Sequence, residues 1–197
     1  MLWTGRFDGD DPLYQRIFQR VSLEKNYDAI STNDFALHGF AVDEGVKRNK
    51  GNIGAKNAPD IIRKNMANFP VVNANFSLKD FGNIECENEN LEKAQNLLAE
   101  KVKIVLEKGA KSIVLGGGHE VMFGHYSGIR KAFPDKKIGI VNIDAHFDNR
   151  EISPKIGASS GTGFWQIAQN EKIHSFHIFI QKNSNTLKLF DTAHHYG

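Results

Sequence analysis

The sequence predicts a three-layer α/β/α domain on a mainly parallel sheet, and three observations predict it. Short apolar runs alternate with amphipathic helical stretches, and those runs end in glycine or polar loop residues. No linker rich in Pro, Gly or Ser divides the 197 residues, so one domain over residues 1–197 is expected. A strand-helix-strand-helix rhythm implies parallel pairing with helices on both faces.

Taken in order, Phe35 to Val42 reads as an early strand, and the Gly- and Asn-rich stretch from Gly45 to Ala58 as a long loop. Pro59 fits the first turn of a helix through about Ala67, because its missing N–H costs little there. Leu91, Ala94, Leu98, Val102 and Val105 recur at helical spacing, and Gly109 follows as a stop. Ser112 to Leu115 is a short strand entering Gly116, Gly117 and Gly118, and Glu120 to Phe133 resumes a helical pattern. Ile138 to Ile143 and His174 to Ile180 read as two further strands.

Composition limits the function classes. With 40% apolar and 24% charged residues, the chain has the profile of a globular protein with one sizeable core. Its formal charge of +2 comes from 25 basic and 23 acidic residues spread along the chain. That balance argues against nucleic-acid and membrane partners and points to small molecules. The single cysteine, Cys86, excludes an internal disulfide and a Cys-rich zinc site, which suits a reducing compartment. The start, MLWTGRFDGDD, does not read as a signal peptide, and no run approaches the roughly 20 apolar residues of a membrane span. A cytoplasmic location is expected.

In parallel α/β folds ligands gather at the carboxyl ends of the strands. Two polar clusters fall there: Gly116-Gly117-Gly118-His119-Glu120 and Asp144-Ala145-His146-Phe147-Asp148. In extended backbone, side chains two apart point to the same side, so Asp144, His146 and Asp148 are expected to converge. The glycines permit close backbone approach and unusual φ values, which would bring His119 to the same point from a neighbouring strand. Two carboxylates at the end of an apolar strand are costly without a cation, and mixed imidazole and carboxylate ligands suit Mn, Zn or Fe. His125, His174, His177, His194 and His195 lie in amphipathic or strand patterns and read as structural. Asp80-Phe81-Gly82 matches the kinase signature in letters only.

GGGHE followed by DAHFD resembles the two N-terminal metal motifs of the ureohydrolases, the family of arginase, agmatinase and formimidoylglutamase. The likeness extends through DEGVKRNKGNIGAKNAPDIIRK, ASSGTGFWQI and KNSNTLKLFDTA, so it covers nearly the whole chain. These flanking segments look most like the formimidoylglutamase branch. Arginases and agmatinases typically carry a histidine where this chain has Ser160.

The resemblance implies an arginase-like fold, two Mn2+ ions, and hydrolysis of N-formimidoyl-L-glutamate to L-glutamate and formamide in histidine degradation. It makes His119 a ligand of one ion, His146 of the other, Asp144 a bridge, and Asp148 both a ligand of the first ion and the catalytic group. Asp148 would hydrogen-bond a metal-bridging hydroxide that attacks the formimidoyl carbon, and pass its proton to the leaving nitrogen. Arg150 and Ser160 fall where relatives contact substrate, Arg150 suiting a carboxylate. Relatives commonly form symmetric assemblies, so a homo-oligomer is expected.

The chain departs from the family pattern at Asn52, where an arginine is expected, and at Asn149, Gly163 and Trp165. The family's third motif, an Asp-x-Asp pair that completes the metal spheres, does not follow Asp148 here; Asp191 stands alone in the segment expected to be a helix, Ser184 to Gly197. By comparison with the family the chain reads as lacking its C-terminal third. Two alternatives stay open on the sequence: an arginase- or agmatinase-type amidinohydrolase, and an inactive metal-binding fragment.

Overall fold

Parallel pairing between strands holds throughout the described residues. A computed structural model of the chain describes residues 2–73, 75, 77–172 and 174–196. Strands β1 (Val21–Leu23), β2 (Phe35–Ala41), β3 (Leu78–Glu85) and β4 (Lys111–Gly116) form a four-stranded sheet in the order β1-β3-β2-β4. Strands β5 (Gly139–Ile143) and β6 (His174–Ile178) form a separate two-stranded sheet. The mainly parallel sheet expected from the sequence is thus present as two parallel pieces. Central β2 is buried from Ala36 to Phe40, as an apolar strand covered on both faces should be.

Helix α2 (Ala58–Met66) covers one face of the larger sheet. There Ile62, Met66 and Ala67 pack with Trp3, Leu37, Leu78 and Leu115. Helix α3 (Leu91–Glu107) covers the other through Leu91, Ala94, Leu98 and Val102, which meet Phe40, Val42 and Ile84. This is the expected three-layer order. Asn90 caps α3 by accepting the Lys93 N–H at 2.9 Å, and Gly109 ends the turn at φ 77°. Helix α4 (Val121–Ala132) lies against α3 and also carries Met122, Phe123 and Tyr126 to Ile138, Ile140 and α5 (Gly163–Ala168), so it ties the two sheets together. The contact with α3 is close: a Cβ at Gly128 would stand 2.6 Å from the Cβ of Val102. The opposite face of the second sheet is open, with Val141, Ile143 and Phe176 each at least two-thirds exposed.

Four elements differ from the sequence reading. The stretch read as a long loop contains α1 (Glu44–Arg48) and a 3-10 turn at Ala55–Asn57. Strands β1 and β3 were not expected. In β3, Asp80, Gly82 and Asn83 are turn-forming residue types, yet the segment is held as a strand by a buried ion pair. Fully buried Arg63 donates from Nε and Nη2 to the two Asp80 oxygens, each at 2.8 Å, and Trp3 Nε1 donates to the same carboxylate at 2.7 Å. The kinase-like letters therefore have a structural reason. The final helix, α6, spans Leu187–Tyr196.

One buried histidine sits in this core. His38 on β2 has no exposed surface and stacks with Phe81, while its Nε2 lies 2.8 Å from the Tyr27 hydroxyl. Burial, with Lys101 nearby, pushes its pKa down to about 3.

Candidate metal and substrate site

Close backbone approach delivers His119. Beyond β4 the chain continues against β2, where Gly117 N–H donates to Phe40 O and Gly118 N–H to Val42 O, both at 2.8 Å. A Cβ at Gly117 would stand 2.2 Å from Val42 O, so glycine is required there for space and not for a left-handed φ. His119 follows in the turn that opens α4.

The partner cluster forms differently from the extended ladder expected. Strand β5 stops at Ile143, Asp144 to His146 bend, and Asp148 takes a left-handed φ of 47°. Asn185 fixes this turn. Its Oδ1 accepts Phe147 N–H at 3.1 Å, and its Nδ2 donates to Ala145 O and Gln181 O, each at 2.8 Å. No periodicity marks Asn185 as important; its side chain, 9% exposed, is the only signal.

His119, Asp144 and Asp148 each offer a ligand atom within 4.8 Å of the others, which makes them a three-group candidate metal centre. His119 Nε2 is 3.5 Å from Asp148 Oδ2, and Nδ1 is 4.0 Å from Asp144 Oδ2. His146 stands beside Asp144, Nδ1 to Oδ1 3.3 Å, with a half-exposed ring outside that cluster. Burial holds the Asp148 carboxyl above its usual range, His119 pulling it down and Asp144 pushing it further up. His119 Nε2, which faces Asp148, is buried without a hydrogen-bond partner, and an imidazole set between two carboxylates suits a divalent cation. The donor set fits Mn2+.

Arg150 borders the turn that carries Ser160. Arg150 N–H donates to Gly161 O at 2.9 Å, and a Cβ on Gly161 would touch the Arg150 side chain at 3.4 Å. Ser160 N–H donates to Gly45 O at 3.1 Å, and Arg48 Nη1 to Ala158 O at 3.1 Å, so α1 supports this turn. Arg150 is exposed and Ser160 half-buried. Of the histidines read as structural, His177 Nε2 lies 3.1 Å from Ser175 Oγ, and burial lowers the pKa of both His125 and His177. Behind His119, Glu120 is buried and was not singled out in the sequence. Its Oε1 accepts Gly45 N–H at 2.8 Å. No helix of the described residues is long and apolar enough to cross a membrane.

Comparison with known proteins agrees with this architecture. Residues 33–196 match the model of the Arginase family. A formimidoylglutamase from Chromobacterium violaceum is 40% identical over all of this chain and 63% of its own length, and one from Geobacillus sp. is 42% identical over 99% of the chain and 61% of its own. The chain thus spans less than two-thirds of these relatives. Among solved structures, Trypanosoma cruzi formiminoglutamase with Mn2+ superposes with a TM-score of 0.76 at 29% identity, covering 87% of this chain and 61% of that one. The Bacillus subtilis formimidoylglutamase fold gives 0.81 at 20% identity, covering 98% and 60%. With the motif residues, the parallel three-layer architecture and a match over most of its length, the chain belongs to the arginase family.

Proposed function

We propose that this chain carries the metal-binding and substrate-recognition part of a cytoplasmic hydrolase that converts N-formimidoyl-L-glutamate and water to L-glutamate and formamide in histidine degradation. The observation that carries the reading is the convergence of His119, Asp144 and Asp148, with a buried unpartnered His119 Nε2, in a chain whose relatives are named formimidoylglutamase.

His119, Asp144 and Asp148 would hold Mn2+, with His146 joining from beside Asp144 by a side-chain rotation and two ions present in the complete site. Bound Mn2+ would act as a Lewis acid that makes water nucleophilic near neutral pH. Asp148 then has two tasks. Its carboxylate would orient the nucleophile, and it would carry a proton to the glutamate nitrogen as the C–N bond breaks. Arg150 is exposed and free to pair bidentately with a substrate carboxylate, and the turn of Ser160 borders it. Ser160 supplies a small neutral hydroxyl there, which favours a formimidoyl over a guanidino substrate. Three clustered groups leave a divalent ion short of ligands, so an Asp-x-Asp pair from a longer chain would complete the spheres. A symmetric homo-oligomer is the expected assembly.

The test is Mn2+-dependent release of formamide from N-formimidoyl-L-glutamate, by this chain and by a version extended to the relatives' length. Activity only in the extended version supports the reading. Cleavage of agmatine or arginine instead would overturn the substrate, and activity in the 197-residue chain itself would overturn the ligand set.

A further inference from the structure

Three segments of the site meet at Glu120. Its side chain is 1% exposed and lies between Gly45 and Gly118, where a Cβ on either glycine would come within 2.6 Å of the carboxyl group. Oε1 accepts Gly45 N–H at 2.8 Å, at the start of α1. Burial pushes the carboxyl up, and the N–H groups of Glu120, Gly45 and Val46 pull against it. From below, Gln95 of α3 donates to Glu120 O at 2.8 Å, so the residue has little freedom to follow α1 if α1 moves. Gly45 in turn accepts Ser160 N–H, and Arg48 on the same helix holds Ala158 O. A continuous path therefore runs from His119 through its neighbour Glu120, across to Gly45, and on to the turn that bears Ser160 and packs on Arg150.

We propose that Glu120 is a positioning residue whose reach to Gly45 fixes α1, and through it the Ser159–Thr162 turn, against the strand end carrying His119. The metal-ligating and substrate-recognising halves of the site are thereby held in one register. The link to metal rests on the proposed role of His119. The path itself does not.

Two variants separate reach from charge. E120Q keeps the length and an oxygen acceptor, whereas E120D keeps the charge and falls one methylene short. Both are compared with wild type by amide hydrogen exchange at Gly45 and Ser160 and by Mn2+ titration followed by EPR. In E120D, exchange at both amides rises and Mn2+ affinity falls by roughly tenfold or more, the scale that outer contacts of a metal site carry. E120Q stays within about threefold of wild type, because the hydrogen bond is retained. An E120D chain with unchanged Ser160 exchange overturns the proposal, and so does an E120Q chain as impaired as E120D. If wild type binds no Mn2+, the metal reading fails alone; coupled exchange at Gly45 and Ser160 still supports the path, and its absence still overturns it.

Discussion

Removing Asp80 tests whether the Arg63 pair holds β3 in the sheet. Arg63 has no exposed side-chain surface and Asp80 only 2%, and the guanidinium gives two 2.8 Å bonds to that carboxylate. In D80A the guanidinium keeps Asn83 Oδ1 at 2.6 Å, Gly82 O at 3.1 Å and the part-exposed Asp60 Oδ1 at 3.4 Å but loses its buried counter-charge, while Trp3 Nε1 and Gly82 N–H lose their acceptor. Breaking a buried pair from one side costs about 3–5 kcal/mol, and each orphaned donor about 1 kcal/mol more, not fully additively. A loss of about 4 kcal/mol corresponds to a fall of roughly 8–16 °C in Tm for a chain of this size, and is a large share of a total stability of about 5–15 kcal/mol. Urea titration followed by tryptophan fluorescence measures it. The partner variant R63M and the double variant R63M/D80L close the cycle. Replacing both members by apolar side chains removes the uncompensated charge, so the double variant is expected to be more stable than D80A. A D80A loss below about 1 kcal/mol, or a double variant as unstable as the sum of its singles, would refute the reasoning.

Acid stability and helix packing give two further tests. The unfolded His38 titrates near 6.5 and the folded one at about 3, so unfolding takes up a proton between those values; stability is full above pH 6.5 and lost as pH falls towards 3. At about pH 4.5 the His38 contribution to that loss is about 2–3 kcal/mol, and H38Q should flatten the urea-measured difference between about pH 7 and 4.5 by that amount; an unchanged profile would remove His38 as its cause. At the α3–α4 contact, G128A forces a Cβ to 2.7 Å from Ala99 O and should cost about 1–3 kcal/mol, whereas G124A, with nearest contacts at 3.1 Å, should cost less. Equal thermal midpoints for the two variants would contradict this packing.

The strongly periodic parts of the fold were legible in the sequence. The α3 stripe of Leu91, Ala94, Leu98 and Val102 and the apolar run of β2 carry their periods openly, because each buries a whole face. Strand β3 was not legible, since its polar residues are matched by Arg63, a partner 17 positions away that no local pattern reveals. The candidate site divides the same way. The motif letters located His119, Asp144 and Asp148, but the extended-backbone argument for their convergence does not describe the bend after Ile143. The left-handed Asp148 and the Asn185 clamp create that geometry, and both are tertiary effects. The contacts of Glu120 were hidden because its hydrogen-bond partner Gly45 lies 75 positions away.

Under the catalytic role proposed for Asp148, its backbone sets folding and chemistry in opposition. A residue other than glycine at φ 47° carries strain of about 1 kcal/mol, and this one also bears a carboxyl that burial disfavours. Glycine would relieve both costs at once. Under selection for foldedness alone, position 148 would therefore drift away from aspartate, and under selection for turnover it would be held. The same site reports which pressure a lineage of such chains has been under, and a library sorted first for stability and then for activity would move position 148 in opposite directions.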